Sequence, residues 1–145
     1  RRNKLDTKVN WKGKDLLFSG TGDSGNILDL AVSPEEGESG FEPMELLGIG
    51  LAGCTGMDVI SILQKKRQDV TDFEVKVHTE KAENHPRVWT SVNIEYIVTG
   101  NNIDPKAVER AMFLSYERYC PAQNMIKKAV DIDMSYKIIE TEAIL

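Results

Sequence analysis

The sequence predicts an α+β domain with an antiparallel sheet, and three observations lead there. Two long segments of alternating character flank a turn at Asn84-His85-Pro86, which is the signature of a hairpin. A single apolar run from Pro43 to about Arg67 has no strand-like alternation and reads as one helix. The remaining patterns complete the order βββ-α-ββ-α-α-β, with its strands and helices grouped as in an α+β domain.

Each element has its own local reason. Leu5, Thr7, Val9 and Trp11 share one face, followed by Leu16 and Phe18 and then by Ile27 to Val32. Gly13 and the run Gly20 to Gly25 separate them as turns, so three strands are expected. Ser33 to Gly40, rich in Ser, Pro, Glu and Gly, reads as a loop. Pro43 then suits a first helical turn, and Lys65, Lys66 and Arg67 suit the negative end of the helix dipole. Met44, Leu46, Leu47, Ile49, Leu51, Met57, Val59, Ile60 and Leu63 cover every side of that helix. A helix apolar all round is buried by its own domain or by a partner chain. About 25 residues at ~1.5 Å each run nearly 40 Å, long for a chain of this size. A central helix wrapped by sheet, or shared with a second subunit, satisfies both facts.

Phe73, Val75, Val77 and Thr79 alternate with charged neighbours, as Val88 to Val98 alternate in the second hairpin strand. Asp104-Pro105 makes an N-cap and first turn for a helix whose inner face is Val108, Ala111, Met112, Ser115 and Tyr119. Cys120-Pro121 opens a short helix through Ala129, and Ile132, Met134, Tyr136 and Ile138 form a last strand.

At 145 residues the chain is expected to be a single domain over 1–145. Apolar residues at 41% and charged residues at 28% are ordinary globular composition. The net charge of −5 and the scattered lysines and arginines exclude a nucleic-acid backbone or an anionic membrane as expected partners. No stretch reads as the roughly 20 apolar residues needed to span a bilayer, and no signal peptide is read at the start. Two cysteines are too few for a secreted disulfide scaffold, so the cytoplasm is the expected compartment.

Residues 48–56, GIGLAGCTG, can be read in two ways. Gly48, Gly50 and Gly53 spell the dinucleotide pattern, but that pattern must end a strand and open a helix. Here the glycines sit inside a helix that began near Pro43, so the nucleotide reading fails on context. The glycines instead let another backbone or a ligand come close, with Gly50 one turn before Cys54. From these residues alone, Cys54 is either a small buried hydrophobe among packing glycines or a thiol facing cleared space. Cys120 precedes Pro121 at a helix start, where the dipole favours a thiolate and a depressed thiol pKa is expected. His78 and His85 lack metal-ligand spacing with either cysteine, and Asp23-Ser24-Gly25 reads as a turn. Tyr116 and Tyr119 near Cys120 read as core residues, with the lining of a pocket as the alternative.

Phe41-Glu42-Pro43-Met44-Glu45-Leu46-Leu47, then Leu51-Ala52-Gly53-Cys54-Thr55, then Tyr119-Cys120 after a second helix, resembles the OsmC/Ohr family of osmotically inducible and organic hydroperoxide resistance proteins. The run Gly56 to Lys65 is similar to its YhfA-like branch. The resemblance implies an intertwined homodimer, with sheets wrapped around long central helices and sites at the subunit interface. It implies a thiol-dependent peroxidase in which Cys54 attacks a small-molecule hydroperoxide, Cys120 resolves the product as a disulfide, and a dithiol reductant resets the pair. Glu45 is the supporting carboxylate it implies, one position later than the acid of well-characterised members, where this chain has Met44. The arginine that such members draw from the N-terminal strands has no counterpart between Arg2 and Arg67; Lys12 or Lys14 lies in that region. Asp58, one turn beyond Cys54, disfavours a nearby thiolate. No metal and no cofactor is implied. The alternative functions are a dimeric small-molecule-binding or redox-sensing protein of the same fold, and a structural dimer with inert cysteines.

Overall fold

The structure, a computed structural model, describes residues 3–32 and 39–141. Most of the loop expected over Ser33–Gly40 lies outside the described residues. The chain divides into two compact units, residues 1–47 and 48–145.

The first unit holds a three-stranded antiparallel sheet in the order β1-β2-β3, with β1 Thr7–Trp11, β2 Phe18–Gly22 and β3 Ile27–Leu30. The three expected strands are present, but Gly20 to Gly22 belong to the central strand and not to a turn. The reason is packing. A Cβ on Gly20 would stand 3.1 Å from Leu30 Cδ1, so the glycine lets β3 side chains lie across β2. Gly13 and Gly25, with φ of +84° and +83°, make the actual turns. A groove of about 500 Å³ runs over this sheet, lined by Val9, Ile27, Leu28, Leu30 and Leu46.

Helix α1 spans Pro43–Lys65, within two residues of the expected bounds. Its 23 residues are long and apolar enough to cross a membrane by length and composition, which corrects the expectation that no stretch is. Within the second unit this helix has a protein environment: Leu51, Thr55, Gly56, Val59 and Leu63 are buried.

The second unit carries a sheet ordered β4-β5-β6, with β4 Asp69–Lys81, β5 Trp89–Asn101 and β6 Ile132–Glu140. β4 and β5 form the expected antiparallel hairpin, from Asp69↔Asn101 to Lys81↔Trp89. β6 pairs parallel to β5, from Val92↔Ile132 to Gly100↔Glu140, so this sheet is mixed where an antiparallel one was expected. The helical segment between β5 and β6 is a crossover that returns the chain to the same end of the sheet. That segment is α2 Pro105–Leu114, a π turn Ser115–Tyr119, and α3 Pro121–Ile126. Asp104 caps α2 as its sequence predicts, with Oδ1 accepting from Lys106 N at 3.0 Å. Val92, Ile94, Tyr96 and Val98 of β5 pack with Leu51, Val59 and Leu63 of α1 and with Val108, Ala111 and Met112 of α2.

The π turn interrupts what periodicity predicts as one helix to Tyr119. Cys120 N–H donates to Ser115 O at 2.9 Å. The Tyr116 carbonyl accepts instead from Lys127 Nζ at 2.9 Å, and the same ammonium lies 4.2 Å from the Tyr116 ring centre.

Candidate functional site: a thiol pair over a saturated hydroxyl network

Cys54 and Cys120 meet. They lie far apart in sequence, yet Cys54 is close enough to Cys120 to raise its pKa. Both are free thiols, Cys54 half-buried and Cys120 fully buried. α1 presents Cys54, and the β5-to-β6 crossover presents Cys120 at the junction of the π turn and α3.

Cys120 is the N-cap of α3, as its sequence predicts, with Sγ accepting from Gln123 N at 3.3 Å. The consequence for its chemistry is the reverse of the expected one. Burial pushes the Cys120 thiol up to about 12, the neighbouring Cys54 and the Asp58 charge add to the rise, and the Gln123 amide opposes it. One amide donor on a short helix does not offset complete removal from water. Cys120 is therefore a thiol at neutral pH, with an S–H available to the Cys54 sulfur.

Beneath the sulfurs lies a buried polar cluster of Thr55, Tyr96, Ser115 and Gln123, all inaccessible to solvent. Thr55 Oγ1 is the hub, 2.6 Å from Tyr96 Oη, 2.8 Å from Ser115 Oγ and 2.9 Å from Gln123 Nε2. Ser115 Oγ–H donates to Asp58 Oδ2 at 2.9 Å, and that carboxylate sets the direction of every bond behind it. Ser115 has one proton and gives it to Asp58, so Thr55 donates to Ser115. Thr55 has then used its proton, so Tyr96 donates to Thr55. Burial pushes the Tyr96 phenol up to about 12, which keeps that donor protonated.

The remaining sequence-predicted residues stand as follows. Glu45 Oε1 accepts from Glu42 N at 3.2 Å, closing the first turn of its own helix. Lys12 Nζ pairs with Asp29 Oδ1 at 3.1 Å. Tyr116 packs against the core, whereas Tyr119 is exposed, with Arg118 5.8 Å from its ring centre. His78 lies on the strand surface, 3.9 Å from Glu80. Asp58 is on the thiol side of α1, and its charge is felt by Cys120 and Tyr96. Among the described residues, no group of three His, Cys, Asp or Glu side chains could hold a metal ion.

Sequence reasoning passes over Thr55, Tyr96 and Gln123. A lone threonine in the apolar helix is the one signal that could mark the cluster, because a buried hydroxyl there needs partners from elsewhere. Gly48, Gly50 and Gly53 lie inside α1, and a Cβ at any of them would meet nothing within 4 Å. The space expected near Gly50 is open. Gly56 differs, since its Cβ would lie 3.3 Å from Val75 Cγ2, where α1 packs on β4. Beside that contact an apolar groove of about 490 Å³ is lined by Ile49, Ala52, Met57, Ile60, Phe73 and Val75.

Residues 35–135 match the OsmC-like protein family. The chain is 40% identical to Protein YhfA of Escherichia coli strain K12 over 135 residues, covering 93% of this chain and 98% of that one. The structure resembles a hypothetical protein from Aquifex aeolicus VF5 with a TM-score of 0.85 and 28% identity, covering 97% of this chain and 100% of the other. It shares its fold with the organic hydroperoxide resistance protein OhrB of Bacillus subtilis, at a TM-score of 0.65 and 16% identity over 92% of this chain and 98% of that one.

Proposed function

The chain belongs to the OsmC-like protein family, and on that premise we propose that it is a thiol-dependent peroxidase that reduces organic hydroperoxides. The observation that supports this reading is the proximity of a half-exposed thiol, Cys54, to a buried protonated one, Cys120, whose pKa it raises. The name of the Bacillus subtilis neighbour points to the same chemistry.

The steps balance with these two residues. The Cys54 thiolate attacks the terminal oxygen of the hydroperoxide, forming an S–O bond and breaking the O–O bond. The sulfur loses two electrons and the alkoxide leaves as alcohol after taking a proton. The Cys120 sulfur then attacks the Cys54 sulfur. An S–S bond forms, the S–O bond breaks, and hydroxide leaves as water with the Cys120 proton. A dithiol reductant returns both thiols by exchange, which suits a reducing cytoplasm.

The working form is a homodimer. Met44, Leu47, Ile49 and Met57 of α1 are exposed large apolar side chains, and bare glycine positions lie between them. A second copy covers that surface.

The test is to treat the fully reduced protein with stoichiometric tert-butyl hydroperoxide and follow intact mass and free thiols. The expected product has lost two hydrogens and both thiols, with Cys54 linked to Cys120. Thiols that survive excess oxidant would overturn the reading. Cys54→Ser abolishes hydroperoxide consumption, and Cys120→Ser leaves one turnover and a trapped sulfenic acid. Sustained turnover with a dithiol separates a peroxidase from a sensor that oxidises once.

A further inference from the structure

Gln123 Oε1 is a buried side-chain acceptor without a hydrogen-bond partner, the only such atom among the described residues. Its residue has no solvent exposure, and a buried acceptor left unpaired costs free energy. The network around it has nothing left to offer. Gln123 Nε2 donates to Thr55 Oγ1 at 2.9 Å and to Ser115 Oγ at 3.4 Å, which uses both amide protons. Thr55 gives its proton to Ser115, Ser115 to Asp58, and Tyr96 to Thr55. Turning the amide over does not help, because Thr55 has no second proton to donate and the NH2 group would then be orphaned. The donor that Oε1 needs is therefore none of the side chains of this network.

The residue's other bonds place it beside the thiol pair. Its side chain binds Thr55, the neighbour of Cys54 in sequence, and its backbone N–H donates to Cys120 Sγ at 3.3 Å. Cys120 in turn has its pKa raised by the neighbouring Cys54. We propose that Gln123 Oε1 is the acceptor for the hydroxyl that oxidation places on the Cys54 sulfur, holding the sulfenic acid until Cys120 attacks. This rests on the peroxidase reading above. Cys54–S⁻ and a hydroperoxide give Cys54–S–OH and an alkoxide, and the new S–O–H proton is the donor that the reduced network lacks.

The test uses the Cys120→Ser chain, in which the sulfenic acid persists, with glutamine labelled with 13C at Cδ. One equivalent of tert-butyl hydroperoxide is added, and dimedone capture on a parallel sample confirms oxidation of Cys54. The Gln123 Cδ resonance, assigned by its loss in Gln123→Met, is expected to move downfield on oxidation and to return on reduction. In the same background Gln123→Met shortens the lifetime of the sulfenic acid against further peroxide about fivefold, the equivalent of one ordinary hydrogen bond. A captured sulfenic acid with an unmoved Gln123 resonance overturns the proposal and leaves the peroxidase reading intact. A buried water bonded to Oε1 in the reduced protein overturns it in the same way. Absence of any dimedone adduct overturns both. The resonance is read on native Gln123 and is also assigned as the one that survives when the other two glutamines, Gln64 and Gln68, are replaced, so the test stands even if Gln123→Met does not fold.

Discussion

Ser115 Oγ donates to Asp58 Oδ2 across 2.9 Å, and this pair lies one helical turn from each thiol. Asp58 follows Cys54 by one turn of α1, and the Ser115 carbonyl accepts from Cys120 N at 2.9 Å through the π turn. The carboxylate therefore sits where it orders the hydroxyl network and also opposes ionisation of Cys120.

Asp58→Asn removes that charge and keeps an acceptor for Ser115. The titration midpoint of Cys120, read from the pH dependence of its alkylation in the reduced protein, is expected to fall slightly, because the Asp58 charge is the smallest of the causes that raise it. Burial is the larger cause of the rise to about 12, so the midpoint stays above the ordinary value of 9.0. An unchanged midpoint would show that Asp58 does not act on this thiol.

Alkali should destabilise the fold through two groups. Cys120 and Tyr96 are each raised to about 12 in the folded chain, from ordinary values of 9.0 and 10.0. Between those limits the unfolded chain binds fewer protons than the folded one, so stability falls as pH rises. The contribution is complete below about pH 9 and is lost as pH climbs towards 12. Urea midpoints measured at pH 8 and pH 11 should separate clearly in the parent and much less in Cys120→Ser with Tyr96→Phe.

Thr55→Val keeps the side-chain volume and deletes the hub hydroxyl. Tyr96 Oη, Ser115 Oγ and Gln123 Nε2 each lose a partner at 2.6–2.9 Å. A loss of about 2–4 kcal/mol in unfolding free energy is expected, against less than about 1.5 for Thr55→Ser. Equal stability of the two variants would remove the hub from the account.

Glycine substitutions should divide by location. A Cβ on Gly100 would fall on the Asp69 backbone carbonyl, so Gly100→Ala must part β4 from β5 and costs about 3 kcal/mol or more. At Gly50 and Gly53 an added Cβ meets nothing within 4 Å, so each Ala gains up to about 1 kcal/mol in the isolated chain through helix propensity. If a second copy covers this face, the same alanines weaken self-association by sedimentation. Unaltered association would place the dimer contact elsewhere.

Much of the architecture is legible in the residues because it depends on neighbours in sequence. The alternation of Phe73 to Thr79 and of Val88 to Val98 specifies β4 and β5, Asp104 caps α2, and Cys120 caps α3. The parallel placement of β6 is not local. Its alternation from Ile132 to Ile138 is the same for either direction, and the crossover decides which end it enters from. The π turn is similarly hidden, since Val108, Ala111, Met112 and Ser115 fit a continuous helix equally well.

At the site, the sequence by itself determined which residues could do thiol chemistry and on which elements they stand: Cys54 within a glycine-cleared helix, Cys120 at a helix start. Only the tertiary structure decided that the two side chains meet and that Cys120 keeps its proton. It also decided that Thr55, Tyr96, Ser115 and Asp58 form one directed chain. The physical reason is that helix position and periodicity are set by bonds a few residues long. A thiol's proton affinity and a hydroxyl's orientation are set instead by water exclusion and by donors brought in from distant parts of the chain.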